Sequence, residues 1–309
     1  MCSVLVLEWV EGSTLEALHH RGAIPPLLAV EIARQLCEIC VHLAASKFAH
    51  CDLQPKNVFV CVTNDGVEVR LIDFGEAANV DQAQDRPAGR RGAPPFQSAE
   101  MLKHVVPLSP ATDMFALALL FWHCLAGRPV WEEAVRRLEK QRGKEEGWPE
   151  GMGMSLAEQQ EAIAREKLRP PLDLLPGPGN LAEGFLPPAS LEALRELLVS
   201  MWEEEAESDE RMIPEEAADL LGKMQICTPG QLRDLLERVL AALPLASVCR
   251  FREGSAPLSE YSGSASESKL RTSRSQGSAP PSKCSGSAST PVGFLADMQG
   301  GPADSFWDD

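Results

Sequence analysis

Positive charge is what this sequence has least of. Its 29 Lys and Arg stand against 45 Asp and Glu, a net charge of −16. Nearly all of the excess lies ahead of residue 246. Such a field repels nucleic acid and anionic membrane surfaces and excludes both as main partners. A disulfide framework is missing as well. The nine cysteines are odd in number, scattered and mostly inside apolar runs, as reduced thiols are. Cys37 and Cys40 form a C-x-x-C, but no second Cys or His pair stands at zinc spacing. In a helical run they read as small buried hydrophobes rather than a redox or metal site. The N-terminus lacks the basic region and cleavage site of a secretory signal. The longest apolar run, 114–126, is too short to span a bilayer, carries His123 and reads as a buried core helix. These absences point to a cytoplasmic or nuclear protein.

What is present is an ordinary globular composition, 44% hydrophobic and 24% charged, with length for one large domain or two small ones. Val4 to Leu7 reads as a short buried strand ended by the turn Glu11-Gly12-Ser13. Thr14 can cap a short helix, Leu15 to His20, stopped by Gly22, and Pro25-Pro26 opens a longer one to about Ala45. Leu28, Ile32, Leu36 and Ile39 on it keep helical spacing. The β-branched runs 58–62 and 67–72 flank Asn64-Asp65-Gly66, a hairpin signal because Asn/Asp-Gly supplies the positive φ angles of a tight turn. Residues 76–95 read as a loop. From Asp113 onward capped apolar periodicities predict helices near 131–143, 155–167, 189–205, 213–224 and 229–243. The Ser-, Gly-, Ala- and Pro-rich stretch 254–289 cannot bury enough surface to offset ordering entropy and is expected to be disordered. The expected organisation is a main domain over 1–226, an additional helix within 227–249 and a disordered tail over 250–309.

Two motifs frame the hairpin. His50-Cys51-Asp52-Leu53-Gln54-Pro55-Lys56-Asn57 precedes it and Asp73-Phe74-Gly75 follows it, so the turn brings two carboxylates and an amide together. Moving a phosphoryl group from a magnesium–nucleotide complex needs one carboxylate to orient the attacking hydroxyl, with an amide and a second carboxylate to hold metal. Further along stand Pro94-Pro95-Phe96-Gln97-Ser98-Ala99-Glu100, a helix start at Asp113 and a late Trp202 and Arg211. Together with Leu7-Glu8-Trp9-Val10-Glu11-Gly12 these landmarks, in this order over about 220 residues, resemble the C-terminal lobe of a protein kinase. The resemblance implies an α+β, mainly α fold: a helical lobe with a catalytic-loop β-hairpin. It also implies ATP and Mg²⁺ as cofactors and a protein substrate or docking partner. By it Asp52 would orient the substrate hydroxyl and take its proton, Asn57 and Asp73 would hold magnesium, and Gly75 would let the backbone turn. Glu8 and Val10 would present backbone groups to adenine over Phe59, although strand-edge and hairpin-core roles fit these positions as well. Glu100 and Arg211 would form a buried ion pair, since either charge buried alone would be costly. Asp113 would accept hydrogen bonds from the backbone near His50 and Cys51, a geometry that an ordinary N-cap also describes.

The departures from the family pattern bear on activity. Only six residues precede Leu7, so the N-lobe, with its glycine-rich loop, phosphate-holding strand lysine and partner glutamate, is expected to be mostly missing. Cys51 stands where most of these enzymes carry arginine, and no Ser, Thr or Tyr lies between Asp73 and Gln97. The absent arginine and the absent phosphorylation site agree with each other, and Arg86, Arg90 and Arg91 are expected to be solvated. Gln54 replaces the usual lysine of Ser/Thr kinases, and Ala93 the threonine that usually bonds the aspartate. The expected activity is transfer of the ATP γ-phosphate to a protein Ser/Thr hydroxyl, and the alternative is a pseudokinase acting as a protein-binding module. A small-molecule kinase of the aminoglycoside or choline phosphotransferase type shares a similar aspartate loop. Glu100, Arg211 and the Pro-Pro-Phe segment argue against it.

Overall fold

The computed structural model describes residues 8–19, 23–83, 91–103, 109–143, 154–180, 183–203 and 211–242. The strand expected over 4–7 and the tail over 250–309 lie outside them. The described architecture is α+β and mainly helical.

Two apolar helices form its centre. Helix α2 (Pro26–Ala45) follows the short α1 (Leu15–His19) and begins where Pro25-Pro26 predicts, a proline at the first helical position costing no hydrogen bond. Its Leu28, Ile32 and Leu36 face are fully buried. Cys37 and Cys40 lie in the same core, where burial pushes the Cys37 thiol up to about 12 and Cys40 well above its ordinary value. Helix α5 (Pro110–Ala126) is apolar on every side and accordingly buried all round. It ends at Gly127, whose φ of 68° lets its amide return to the His123 carbonyl at 3.1 Å. Helix α5 begins three residues before Asp113: Ser109 is the N-cap, so Asp113 sits within the first turn and is not itself the cap. Helix α4 (Ala99–Lys103) precedes it, and α6 (Glu132–Gln141), α7 (Leu156–Arg165), α8 (Pro188–Met201), α9 (Pro214–Met224) and α10 (Pro229–Ala241) follow. Helix α9 packs along α2, and α10 lies against the hairpin and α2, with Leu235 and Leu236 in the common core.

The hairpin is β3 (Val58–Thr63) and β4 (Gly66–Leu71), paired in register from Val58↔Leu71 to Thr63↔Gly66. In its turn only Gly66 takes a positive φ, 127°, not the Asn or Asp before it. A side chain at Gly66 would also press on Pro229 at 3.0 Å. Val58, Val60 and Val69 face the helical core, which puts Phe59, Cys61 and Arg70 on the opposite face. The other edge of β4 is met by Gln35 of α2, which donates to the Val67 carbonyl at 2.9 Å and accepts from the Val69 amide at 2.8 Å, so one side chain satisfies backbone groups that a further strand would otherwise pair.

Three short strands were not foreseen. Ser13–Thr14, read as turn and cap, form β1 and pair antiparallel with Val60 and Phe59 of β3. Gly12 lies so close to β3 that a Cβ there would come within 2.7 Å of the Val60 carbonyl oxygen. Thr14 still caps α1, its Oγ1 accepting from the Ala17 amide at 3.2 Å. Within the expected loop 76–95 the chain forms β5 (Ala78–Asn79), α3 (Val80–Ala83) and a 3₁₀ turn at Pro94–Phe96. β5 pairs with β2 (Phe48–Ala49). That ladder closes the base of the segment carrying both motifs.

Candidate active site

The loop after β2 is held from below. Asp113, buried in α5, accepts the His50 amide on Oδ2 at 2.7 Å and the Cys51 amide on Oδ1 at 2.9 Å. Burial pushes the Asp113 carboxyl up and the two amides pull it back, with the net direction upward. The His50 ring is completely buried and takes one assignable tautomer. The Asp52 amide donates to its Nδ1 at 3.3 Å, so Nε2 carries the proton and donates to the Ile72 carbonyl at 3.1 Å. Phe74 stands edge-on to the same ring, centroids 4.9 Å apart. One imidazole thus ties the first motif to the second.

Asp52 is gripped on both oxygens. Gln54 Nε2 donates to Oδ1 at 2.6 Å and Oδ2 at 2.7 Å, Asn57 Nδ2 donates to Oδ2 at 2.8 Å, and the Ala93 amide donates to Oδ1 at 2.8 Å. The loss of a hydroxyl at position 93 is therefore made good by backbone. That contact depends on Gly92, which no motif singled out. Its φ is +75°, and a Cβ there would lie 2.3 Å from the Cys51 carbonyl oxygen. The only sequence signal was a glycine two places before Pro94-Pro95.

Asn57 also donates to the Asp52 carbonyl at 2.9 Å, and its own carbonyl accepts the Ile72 amide at 2.9 Å. Asp73 follows directly, in a left-handed conformation (φ 62°, ψ 76°), exposed, its Oδ1 accepting the Gly75 amide at 3.3 Å. A non-glycine residue held there costs about 1–3 kcal/mol and persists only where its surroundings impose it. A carboxylate and an amide carbonyl are hard oxygen donors of the kind Mg²⁺ takes in small number, the rest of its shell being water and phosphate. The residues present fit that ion.

Cys51 fills the place of the absent arginine with an apolar contact. It is buried against Ala49, Ala78 and Met101, and burial pushes its thiol up to about 12. Arg91, expected to be solvated, donates to the Glu76 carbonyl at 3.0 Å. Arg86 and Arg90 lie outside the described residues. Glu8 is exposed and forms an ion pair with Arg70 at 2.5 Å, Val10 is half-buried, and half-buried Phe59 shares the Arg70 face of the hairpin. Glu100 and Arg211 meet in a fork, Nη1–Oε1 at 2.5 Å and Nη2–Oε2 at 3.1 Å, with side chains 4% and 1% exposed. Arg211 is completed by the Glu203 and Ala111 carbonyls and the Phe115 ring. A groove of roughly 400 Å³ opens beside Gln54 and Ala93. Among the described residues no helix is long and apolar enough to cross a membrane.

A family model described as the protein kinase domain matches residues 2–231. The chain is 32% identical over 154 residues to a probable myosin light chain kinase of Dictyostelium discoideum, a match covering 49% of this chain and 48% of that one. It is 30% identical over 137 residues to the serine/threonine-protein kinase pkn2 of Myxococcus xanthus, covering 43% and 16%. With the calcium/calmodulin-dependent protein kinase type II subunit delta of Oryctolagus cuniculus it shares 31% identity over 139 residues, covering 44% and 26%. The chain thus spans about half the length of these relatives or less.

Proposed function

This chain belongs to the protein kinase family, and on that footing we propose that it transfers the ATP γ-phosphate to a Ser or Thr hydroxyl of a protein. The observation that carries the reading is the convergence of Asp52, Asn57 and Asp73 through His50, Ile72 and the Ala93 amide. Asp52 orients the hydroxyl and accepts its proton as the oxygen bonds to the γ-phosphorus and the bond to the β-phosphate oxygen breaks, releasing ADP. Asn57 and Asp73 would hold the magnesium, which would supply charge neutralisation. Phe59 would lie under the adenine, with the backbone of Glu8 and Val10 at its edge. Asp113 and the Glu100–Arg211 pair act as positioning groups for the loop and for the segment 92–100.

A second reading, a pseudokinase that binds a partner protein, is favoured by Gln54. Its Nε2 is spent on both Asp52 oxygens, so the end of the side chain left for a phosphate is a carbonyl oxygen rather than a cation. The first lysine of the chain is Lys47, after β1 and α1, so a strand lysine for the phosphates would have to come from outside residues 1–46.

Phosphate transfer from labelled Mg-ATP to a mixed Ser/Thr peptide pool tests the choice. Under the first reading the chain labels the pool, Asp52→Asn loses at least a hundredfold, and Gln54→Lys gains. No label above the Asp52→Asn blank, with Gln54→Lys equally silent, selects the second.

A further inference from the structure

The groove beside Asp52 carries information about what the accepting polypeptide presents. Gln54 and Ala93 line it and also hold the Asp52 carboxylate. A side chain seated in the groove therefore lies next to the group that would orient the hydroxyl. Phe96, Pro129 and Val130 give it apolar walls. One side is built from two imidazoles, His19 of α1 and His123 of α5, stacked with centroids 3.6 Å apart and planes 25° from parallel. His19 Nε2 lies 2.9 Å from the His123 carbonyl oxygen, and His123 Nδ1 lies 2.8 Å from the Arg128 carbonyl oxygen. Phe96 stands edge-on to His123 at 6.2 Å. Burial holds the His123 pKa below its ordinary value, so the ring is neutral at physiological pH. The groove thus offers ring faces and hydrocarbon. Its charged lining groups among the described residues are Glu16 and Lys56, one of each sign and both exposed.

A basic side chain is selected by carboxylates gathered where water is excluded. One solvated carboxylate opposed by a lysine does not do that, whereas apolar walls beside the neutral His123 ring favour removing hydrocarbon from water. We propose that this groove takes an apolar side chain, aliphatic or aromatic, from the polypeptide substrate at a position flanking the accepting Ser or Thr. The inference rests on the phosphotransfer reading and adds the substrate class.

Binding can be read without turnover. Fluorescence anisotropy of the full chain with serine peptides, each carrying Leu, Phe, Ala or Lys in turn at every flanking position, should find one position where Leu or Phe binds about tenfold tighter than Lys. Pro129→Glu, an exposed substitution, adds a carboxylate to the wall and should remove most of that preference. Phe96→Ala should weaken the Leu and Phe peptides alone, and thermal melts report whether each variant is folded. Lys peptides binding best, or a preference untouched by both folded variants, overturns the proposal. Apolar preference without phosphate transfer from Mg-ATP leaves the groove assignment standing and removes the catalytic reading. Transfer without apolar preference does the reverse.

Discussion

Glu100→Gln isolates the most heavily buried ion pair among the described residues. The substitution preserves shape and removes one charge, leaving the Arg211 guanidinium 1% exposed with an amide acceptor in place of the carboxylate, beside the Glu203 and Ala111 carbonyls and the Phe115 ring. Breaking a buried pair from one side costs about 3–5 kcal/mol, because the remaining ion has lost its water without its partner. The retained amide hydrogen bond places Glu100→Gln near the lower bound. At about 2–4 °C per kcal/mol for a domain of this size, the melting temperature should fall by roughly 6–12 °C. Urea denaturation followed by circular dichroism should give the same loss with an unchanged slope. The double variant Glu100→Met with Arg211→Met removes both charges and should be more stable than Glu100→Gln alone. A Glu100→Gln protein within about 0.5 kcal/mol of the parent would refute the reasoning, since only a solvated pair is worth so little.

Two other perturbations follow from the same geometry. Gly92→Ala forces a Cβ to within 2.3 Å of the Cys51 carbonyl oxygen at a φ of +75°. It should cost about 1–3 kcal/mol and draw the Ala93 amide off Asp52, lowering both the melting temperature and any phosphotransfer rate. An unchanged melt and rate would show that segment to be unstrained. Acid should weaken the α2 contacts through Glu31. Burial alone would raise its pKa, but hydrogen bonds from Arg34, Gln225 and Gln35 outweigh burial and the net shift is below 4.5. A depressed carboxylate contributes stability above its unfolded pKa and loses it as pH falls through the folded value, so this share is present at pH 7 and disappears below about pH 4.5. In urea titrations the stability gap between the parent and Glu31→Gln should close over that window, and a constant gap would contradict the assignment.

Much of this fold was legible where a period or a breaker was present. Pro25-Pro26 marks the start of α2, and the β-branched runs on either side of Asn64-Asp65-Gly66 predict the hairpin of β3 and β4. Helices α6 to α10 begin near their predicted caps and prolines. The two-residue strands at Ser13–Thr14, Phe48–Ala49 and Ala78–Asn79 were not legible, because two residues have no period and their pairing depends on partners distant in the chain. Position 113 read as the start of a helix, whereas the cap is Ser109; the bonds from the His50 and Cys51 amides to Asp113 are those that the resemblance implied. The hold on Asp52 was only half legible. Gln54 and Ala93 read as losses, but a backbone amide leaves no mark in the side-chain pattern, and it is the amide of Ala93 that bonds the carboxylate.

The central claim is that Asp73, beside Asn57, forms a metal-dependent nucleotide site. Its most direct test is the melting temperature of the full chain with and without millimolar Mg-ATP, in the parent and in Asp73→Ala. A ligand at a hundred times its dissociation constant stabilises by about 2.7 kcal/mol, which corresponds to a rise of roughly 5–10 °C. The account predicts that rise in the parent, its loss when EDTA removes the magnesium, and its absence in Asp73→Ala. No rise in the parent, or an equal rise in Asp73→Ala, would contradict it.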